Sequence, residues 1–196
     1  MEGLIFIGIL IAIAVFFVGI YNKLVNLRNG VKNGFAQIDV QLTRRHDLIP
    51  NLVEVAKGYM KHERETLEGV ITARNAAVSG LKNASANPSD AGSIKELAGA
   101  EAMLTGALGK LFALAEAYPD LKANQNMLAL QEELTGTESK IAYARQYYNE
   151  QVRLLNTAIE TFPSSILAKV AHFAPREFFD IDDEARGPVD VSFQER

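Results

Sequence analysis

The residues with the most chemical potential lie in one short stretch, Arg44-Arg45-His46-Asp47, followed by Pro50-Asn51. Two guanidinium groups, an imidazole and a carboxylate this close together could hold an anion, relay a proton or build ion pairs between helices. Arg45 falls on a stripe of apolar residues, where an unpaired charge would be expensive to desolvate. Farther along, Glu138, Arg145, Asn149 and Asn156 flank a second apolar stripe and could supply its partners. Two arrangements fit this spacing. One is an interhelical polar network forming an interaction corner; in the other, Arg45 snorkels at a bundle end while Asp47 merely caps a helix.

Other candidate chemistry is thin. His46, His62 and His172 are scattered, and His62-Glu63 lacks the second histidine needed for a zinc site on a helix. Asp180, Asp182, Asp183 and Glu184 could meet a calcium ion, but without the glycine and ligand spacing of an EF-hand loop they read as a solvated acidic run. Cysteine is absent, which excludes disulfides and thiolate metal sites. There is no Gly-x-Ser-x-Gly elbow and no phosphate loop. The expectation is a protein without catalytic residues, metal or cofactor. Its net charge of −4 offers no attractive field to nucleic acid.

These side chains must be positioned by what surrounds them, and the chain opens with an uncharged run, Leu4–Ile20. At about 1.5 Å per residue, a helix of this length just crosses a hydrocarbon core of about 30 Å. No positive n-region precedes the run and no small-residue cleavage site follows it, so it reads as an anchor over residues 1–21 rather than a signal peptide. Lys23, Arg28 and Lys32 lie just after it, which places the N-terminus outside and the body in the cytoplasm of a single-pass inner-membrane protein. Tyr21, Lys23 and Arg28 suit the lipid headgroup region. Gly8-x-x-x-Ala12 is a small-xxx-small pattern that could seat a neighbouring membrane helix.

After the anchor, four segments carry helical periodicity, which predicts a bundle over residues 22–163. The first carries Leu24, Leu27, Val31, Phe35, Ile38, Leu42, Arg45 and Ile49, and continues the membrane helix into water. Pro50 predicts a turn or kink, with Asp47 capping a second helix that carries Leu52, Ala56, Tyr59, Leu67, Val70, Ala77 and Leu81. A polar loop over 82–90 leads to a third helix, with Ser93 and Glu96 as a capping box. Its stripe is Leu97, Leu104, Leu108, Leu111, Ala115 and Tyr118, and Gly106 and Gly109 within it suggest a close helix approach. After a turn at Tyr118-Pro119-Asp120, the fourth helix has a clean three-and-four spacing from Met127 to Phe162, close to a heptad seam, and Pro163 stops it. Residues 164–179 read as a short helix and a phenylalanine-bearing docking segment, and 180–196 as an exposed acidic tail.

Several ordered stretches carry a resemblance. Tyr21-Asn22-x-Leu24-Val25-x-Leu27-Arg28-Asn29 and Gln37-Ile38-Asp39-Val40-Gln41-Leu42-x-Arg44-Arg45-His46-Asp47-Leu48-Ile49-Pro50-Asn51-Leu52-Val53 are two of them. Leu114–Asn124, Glu138-x-x-Ile141-x-x-x-Arg145-x-x-Tyr148-Asn149 and Phe162-Pro163-Ser164 complete the set. Together they closely resemble the LemA family, from the anchor through roughly Phe179. The resemblance implies a bacterial membrane-anchored protein whose body is an up-and-down four-helix bundle, in a family without an established enzymatic activity. Gly30 and Gly34 stand where its members often carry bulkier residues, which implies a looser juxtamembrane helix.

The expected fold class is therefore all-α, a single transmembrane helix running into an antiparallel up-and-down bundle of long helices. The expected function is a non-enzymatic scaffold that binds membrane lipid, forms homo-oligomers and organises the membrane surface or partner proteins. The alternative is an adaptor or regulator that presents a partner to a membrane protease or sensor.

Overall fold

The computed structural model describes residues 1–180, so the expected tail over 181–196 lies outside the described residues. The described chain is all-α. It comprises α1 (Glu2–Tyr59), α2 (Arg64–Ala86), α3 (Ala91–Ala115), a single-turn α4 (Pro119–Lys122), α5 (Gln125–Glu160) and a short α6 (Ser164–Val170). Close packing joins α1 to α5, α1 to α2 and α2 to α3, while α6 rests on both α1 and α5.

The 58 residues of α1 give it a length on the order of 85 Å. Its first part, Leu4 to Gly19, touches nothing else and is exposed on every side, and burial begins in earnest at Leu24. α3 is also long and apolar enough to cross a membrane by composition, but it buries Ile94, Leu97, Leu104, Leu108 and Leu111 against the other helices.

Four expectations need correcting. α1 does not turn at Pro50 but runs through it to Tyr59, so Leu52, Ala56 and Tyr59 belong to α1 and Asp47 is an exposed mid-helix residue. The chain turns instead at Met60–Glu63, just after Gly58 weakens the last helical turn. The cap of α3 is Asp90, whose carboxylate accepts the Ser93 N–H at 2.7 Å, and no capping box starts at Ser93. The glycines also exchange roles. A Cβ on Gly106 or Gly109 would meet open space, whereas one on Gly34 would stand 3.0 Å from Tyr148 Cα. Gly34 thus marks a close approach of α1 to α5, a tight contact in place of a loose joint.

The core has two parts. The cluster nearer the apolar start of α1 is built around Phe35, Ile38, Leu42, Leu97, Tyr148 and Val152. A distal cluster is built around Ile49, Leu52, Val70, Leu104, Leu111 and Leu134. On α1 and α3 the boundary falls at the same level, between Leu42 and Leu48 and between Ala98 and Leu104. Charged residues occupy that level.

Candidate functional site

Arg45, His46 and Glu101 are all buried, at 1%, 2% and 0% exposure, and they form a polar layer between the two core clusters. Arg45 reaches from α1 to α3, where its Nη1 donates to Glu101 Oε2 at 3.0 Å and its Nη2 donates to Thr105 Oγ1 at 2.7 Å. Its Nε lies 3.0 Å from Glu138 Oε1 on α5 as an ion pair without hydrogen-bond alignment. The other Glu101 oxygen lies 2.7 Å from His46 Nε2. With Glu101 ionised that imidazole nitrogen is the donor. One carboxylate thus satisfies two consecutive residues of α1.

Glu138 sits at the rim, partly open to water. Burial pushes its carboxyl up from the ordinary glutamate range; Arg45 pulls the other way, Glu101 adds to the rise and Arg145 opposes it. Neighbouring Arg44 faces water and pairs with Glu133 of α5 at 2.7 Å. Asp47, Pro50 and Asn51 are exposed. Of the candidate corner, then, Arg45, His46 and Glu138 come together in the layer, Arg44 joins α5 outside it, and the remaining three face solvent.

Pro50 explains one further contact. A residue at this position would donate its N–H to the carbonyl of His46 four residues earlier, and proline has none. Arg74 of α2 donates its Nε to that carbonyl instead, at 3.1 Å. The helix can therefore continue because a second helix supplies the missing donor.

Arg145, whose charge also acts on Glu138, and Asn149 hold the segment after α6. Asn149 accepts the Phe179 N–H at 2.9 Å through Oδ1 and donates to the Phe179 carbonyl at 3.3 Å through Nδ2. Asn156, one heptad on, grips Arg176 in the same two-bond manner, at 2.8 and 2.9 Å. Tyr148 donates its hydroxyl to the Glu177 carbonyl at 2.9 Å, and the Arg145 guanidinium stands 5.6 Å from the centre of the fully buried Phe179 ring. α5 thereby straps the C-terminal segment in place, with Lys95 of α3 pairing to Glu177 from the other side at 3.4 Å.

Beyond the strap, a groove of about 500 Å³ lies open between α3 and α5, walled by Leu108, Phe112 and Leu134, with Arg45 and Glu138 at one end. At the other end of the body, Tyr21 is exposed and meets the Phe173 ring edge-on at 6.1 Å. Arg28 lies over the same ring at 5.2 Å, Lys23 faces solvent, and Gly8 and Ala12 stand on the free apolar part of α1.

Glu101, Thr105, Glu133 and Arg74 escaped the sequence reading. Glu101 had left a signal: the α3 stripe skips from Leu97 to Leu104, and Glu101 fills that gap with a charge opposite to the one Arg45 brings to the α1 stripe.

Known relatives share most of this chain. The magnetosome protein MamQ of Magnetospirillum gryphiswaldense is 25% identical over 174 residues, covering 81% of this chain. The chain spans only 64% of that relative's length. Magnetosome protein MamQ 2 of Paramagnetospirillum magneticum is 24% identical over 184 residues, covering 86% of this chain and 68% of the relative. These likenesses and the apolar start of α1 are consistent with a membrane-associated protein. Residues 34–193, which carry the polar layer and the strap, match the LemA family model, and the chain belongs to the LemA family.

Proposed function

We propose that this protein is a non-enzymatic scaffold, anchored in the cytoplasmic membrane by Leu4–Ile20, with its N-terminus outside and its body in the cytoplasm. The body is read as an antiparallel up-and-down bundle of α1, α2, α3 and α5, because partners of α1 descend α5 from Tyr148 at Gly34 to Glu133 at Arg44. The observation that carries the function is the unbroken α1, which runs from the apolar segment into the buried polar layer. A tilt or lateral association of the anchor is then transmitted to the body without a flexible joint. Self-association is read from the outer face of α1 and α5, where Val40, Tyr143 and Tyr147 are exposed at 63%, 73% and 41%. Tyrosines of this kind favour protein contact because they bury large area with a polar tip.

Mass photometry of detergent-solubilised protein tests this reading. A defined homo-oligomer is expected, and Tyr143→Asp should disperse it while leaving the helical signal intact. A strict monomer at micromolar concentration would overturn self-association.

The groove between α3 and α5 favours a second reading, an adaptor that presents a partner to another membrane protein. The strap shows that this seam accepts an extended chain, and the groove continues the seam. This reading predicts that Phe112→Glu abolishes partner capture at unchanged folding and oligomer size. Loss of oligomer size together with capture would count against it.

A further inference from the structure

The membrane-proximal end of the body carries an apolar surface that none of the described residues covers. Phe162, Ile166 and Val170 are exposed at 76%, 52% and 71%. Ile166 and Val170 stand one helical turn apart on α6, while Ala168, on the opposite side of that short helix, is fully buried. α6 therefore has an inner face packed on the body and an outer apolar face left open among the described residues.

Its height is set by three contacts. Phe173, just after α6, meets Tyr21 at the end of the uncharged run and lies under Arg28. α6 packs on α1, whose Leu24 is fully buried. α5 runs on past Gln151, whose side chain meets Gly30, and at equal rise its last residue, Glu160, comes level with Tyr21. The surface thus begins where the apolar run of α1 ends. Lys23 and Lys169 are exposed beside it, with Glu160 the nearby acid in sequence.

We propose that the outer face of α6, with Phe162, is a second lipid contact, lying in the headgroup and upper acyl region of the bilayer that holds Leu4–Ile20. The inference rests on the reading of that run as a membrane anchor. Apolar side chains flanked by lysines suit this zone, where the rings and branched chains sink about 5–10 Å and the ammonium groups meet anionic headgroups. A single helix crossing the membrane can swivel; a second contact beside it fixes the azimuth of the body, so that one chosen face of α1 and α5 looks along the membrane plane.

The chain contains no tryptophan, so one substitution creates one fluorophore. Ile166→Trp, Val170→Trp, Phe16→Trp and Met103→Trp would be made in the full-length protein, in nanodiscs of phosphatidylcholine and phosphatidylglycerol with lipid brominated near the carbonyl end of its chains. Met103 is exposed, close in sequence to Glu101 and so near the level of Arg45, on the order of 35 Å along α1 from Tyr21. The expected result is blue-shifted emission at 166 and 170, quenched several-fold more strongly than at 103. If Phe16→Trp is quenched and 166 and 170 are not, the second contact is refuted and the anchor stands. If Phe16→Trp also escapes quenching, the membrane reading itself fails and takes the inference with it. Blue-shifted emission at 166 or 170 without quenching would assign the face to a second copy of the chain and overturn the proposal.

Discussion

Arg74 of α2 donates to the backbone carbonyl of His46 on α1 at 3.1 Å, and that carbonyl is the one Pro50 leaves without a helical donor. The same residue is held by its side chain, through Glu101 of α3. α1 is thereby tied to two other helices at the level where its own ladder is interrupted. This places the proline in the polar layer's supporting structure and explains how a helix of 58 residues passes it.

The pairing predicts a specific coupling. Arg74→Met leaves a partly buried carbonyl without a donor and should cost about 1–3 kcal/mol. With Pro50→Ala present, the new amide can reach His46, and the cost of Arg74→Met should fall by at least half. A double-mutant cycle by urea unfolding measures this, and additive effects would refute it.

Neighbouring arginines should behave differently. Arg45→Ala removes the guanidinium from the buried Glu101 carboxylate, leaving it only the His46 imidazole, and is expected to cost about 3–5 kcal/mol. Arg44→Ala breaks an exposed pair with Glu133 and should cost about 0–1 kcal/mol. Replacing both buried partners together, Arg45→Met with Glu101→Leu, should recover much of the loss. Equal melting temperatures for the two single alanine variants would contradict the geometry.

Two glycines give opposite signs for the same substitution. Gly106→Ala on α3 meets open space and should stabilise by about 0.5–1 kcal/mol through helix propensity. Gly34→Ala drives a methyl to 3.0 Å from the Tyr148 Cα and should destabilise, because α1 and α5 must separate. Chemical denaturation of the two variants side by side checks the signs, and stabilisation by both would refute the close approach.

Tyr148 should report on alkaline pH. Burial pushes its hydroxyl up to about 12. An unfolded tyrosine loses its proton near pH ~10, so between these values the folded chain holds more protons than the unfolded one and rising pH weakens the fold. Tyr148→Phe removes this term along with the bond to the Glu177 carbonyl. The variant should be less stable by about 0.5–1.5 kcal/mol at neutral pH, and its deficit should shrink as pH climbs above ~10. Unfolding curves for both proteins across that range test it; a constant deficit would be the contrary result.

Much of the architecture was legible in the residues because it depends on local rules. An uncharged run of membrane length, stripes at three- and four-residue spacing and Pro163 after the last stripe were enough to place the apolar start and the third and fourth long helices, but not the turn between the first two. The singular position of Arg45 on an apolar stripe was legible for the same reason: a charge there must find a partner. Glu138 could be named as one because it lies beside the α5 stripe. Which carboxylate would be buried with Arg45 could not be read, since that depends on how α1 and α3 are set against each other.

Tertiary structure decided the remainder, and in each case through a group supplied from elsewhere in the chain. Pro50 signals a break by local rules, but Arg74 provides the donor that keeps α1 whole. Gly34 and Gly106 are alike in sequence, and only the distance to the neighbouring helix tells them apart. Asn149 looked like a partner for the arginine corner and instead holds Phe179, while Arg145 acts on Glu138 and reaches Phe179 as well, because the C-terminal segment folds back along α5. Periodicity selects which face of a helix is buried, whereas the register between helices selects which polar atoms meet, and only the assembled body sets that register.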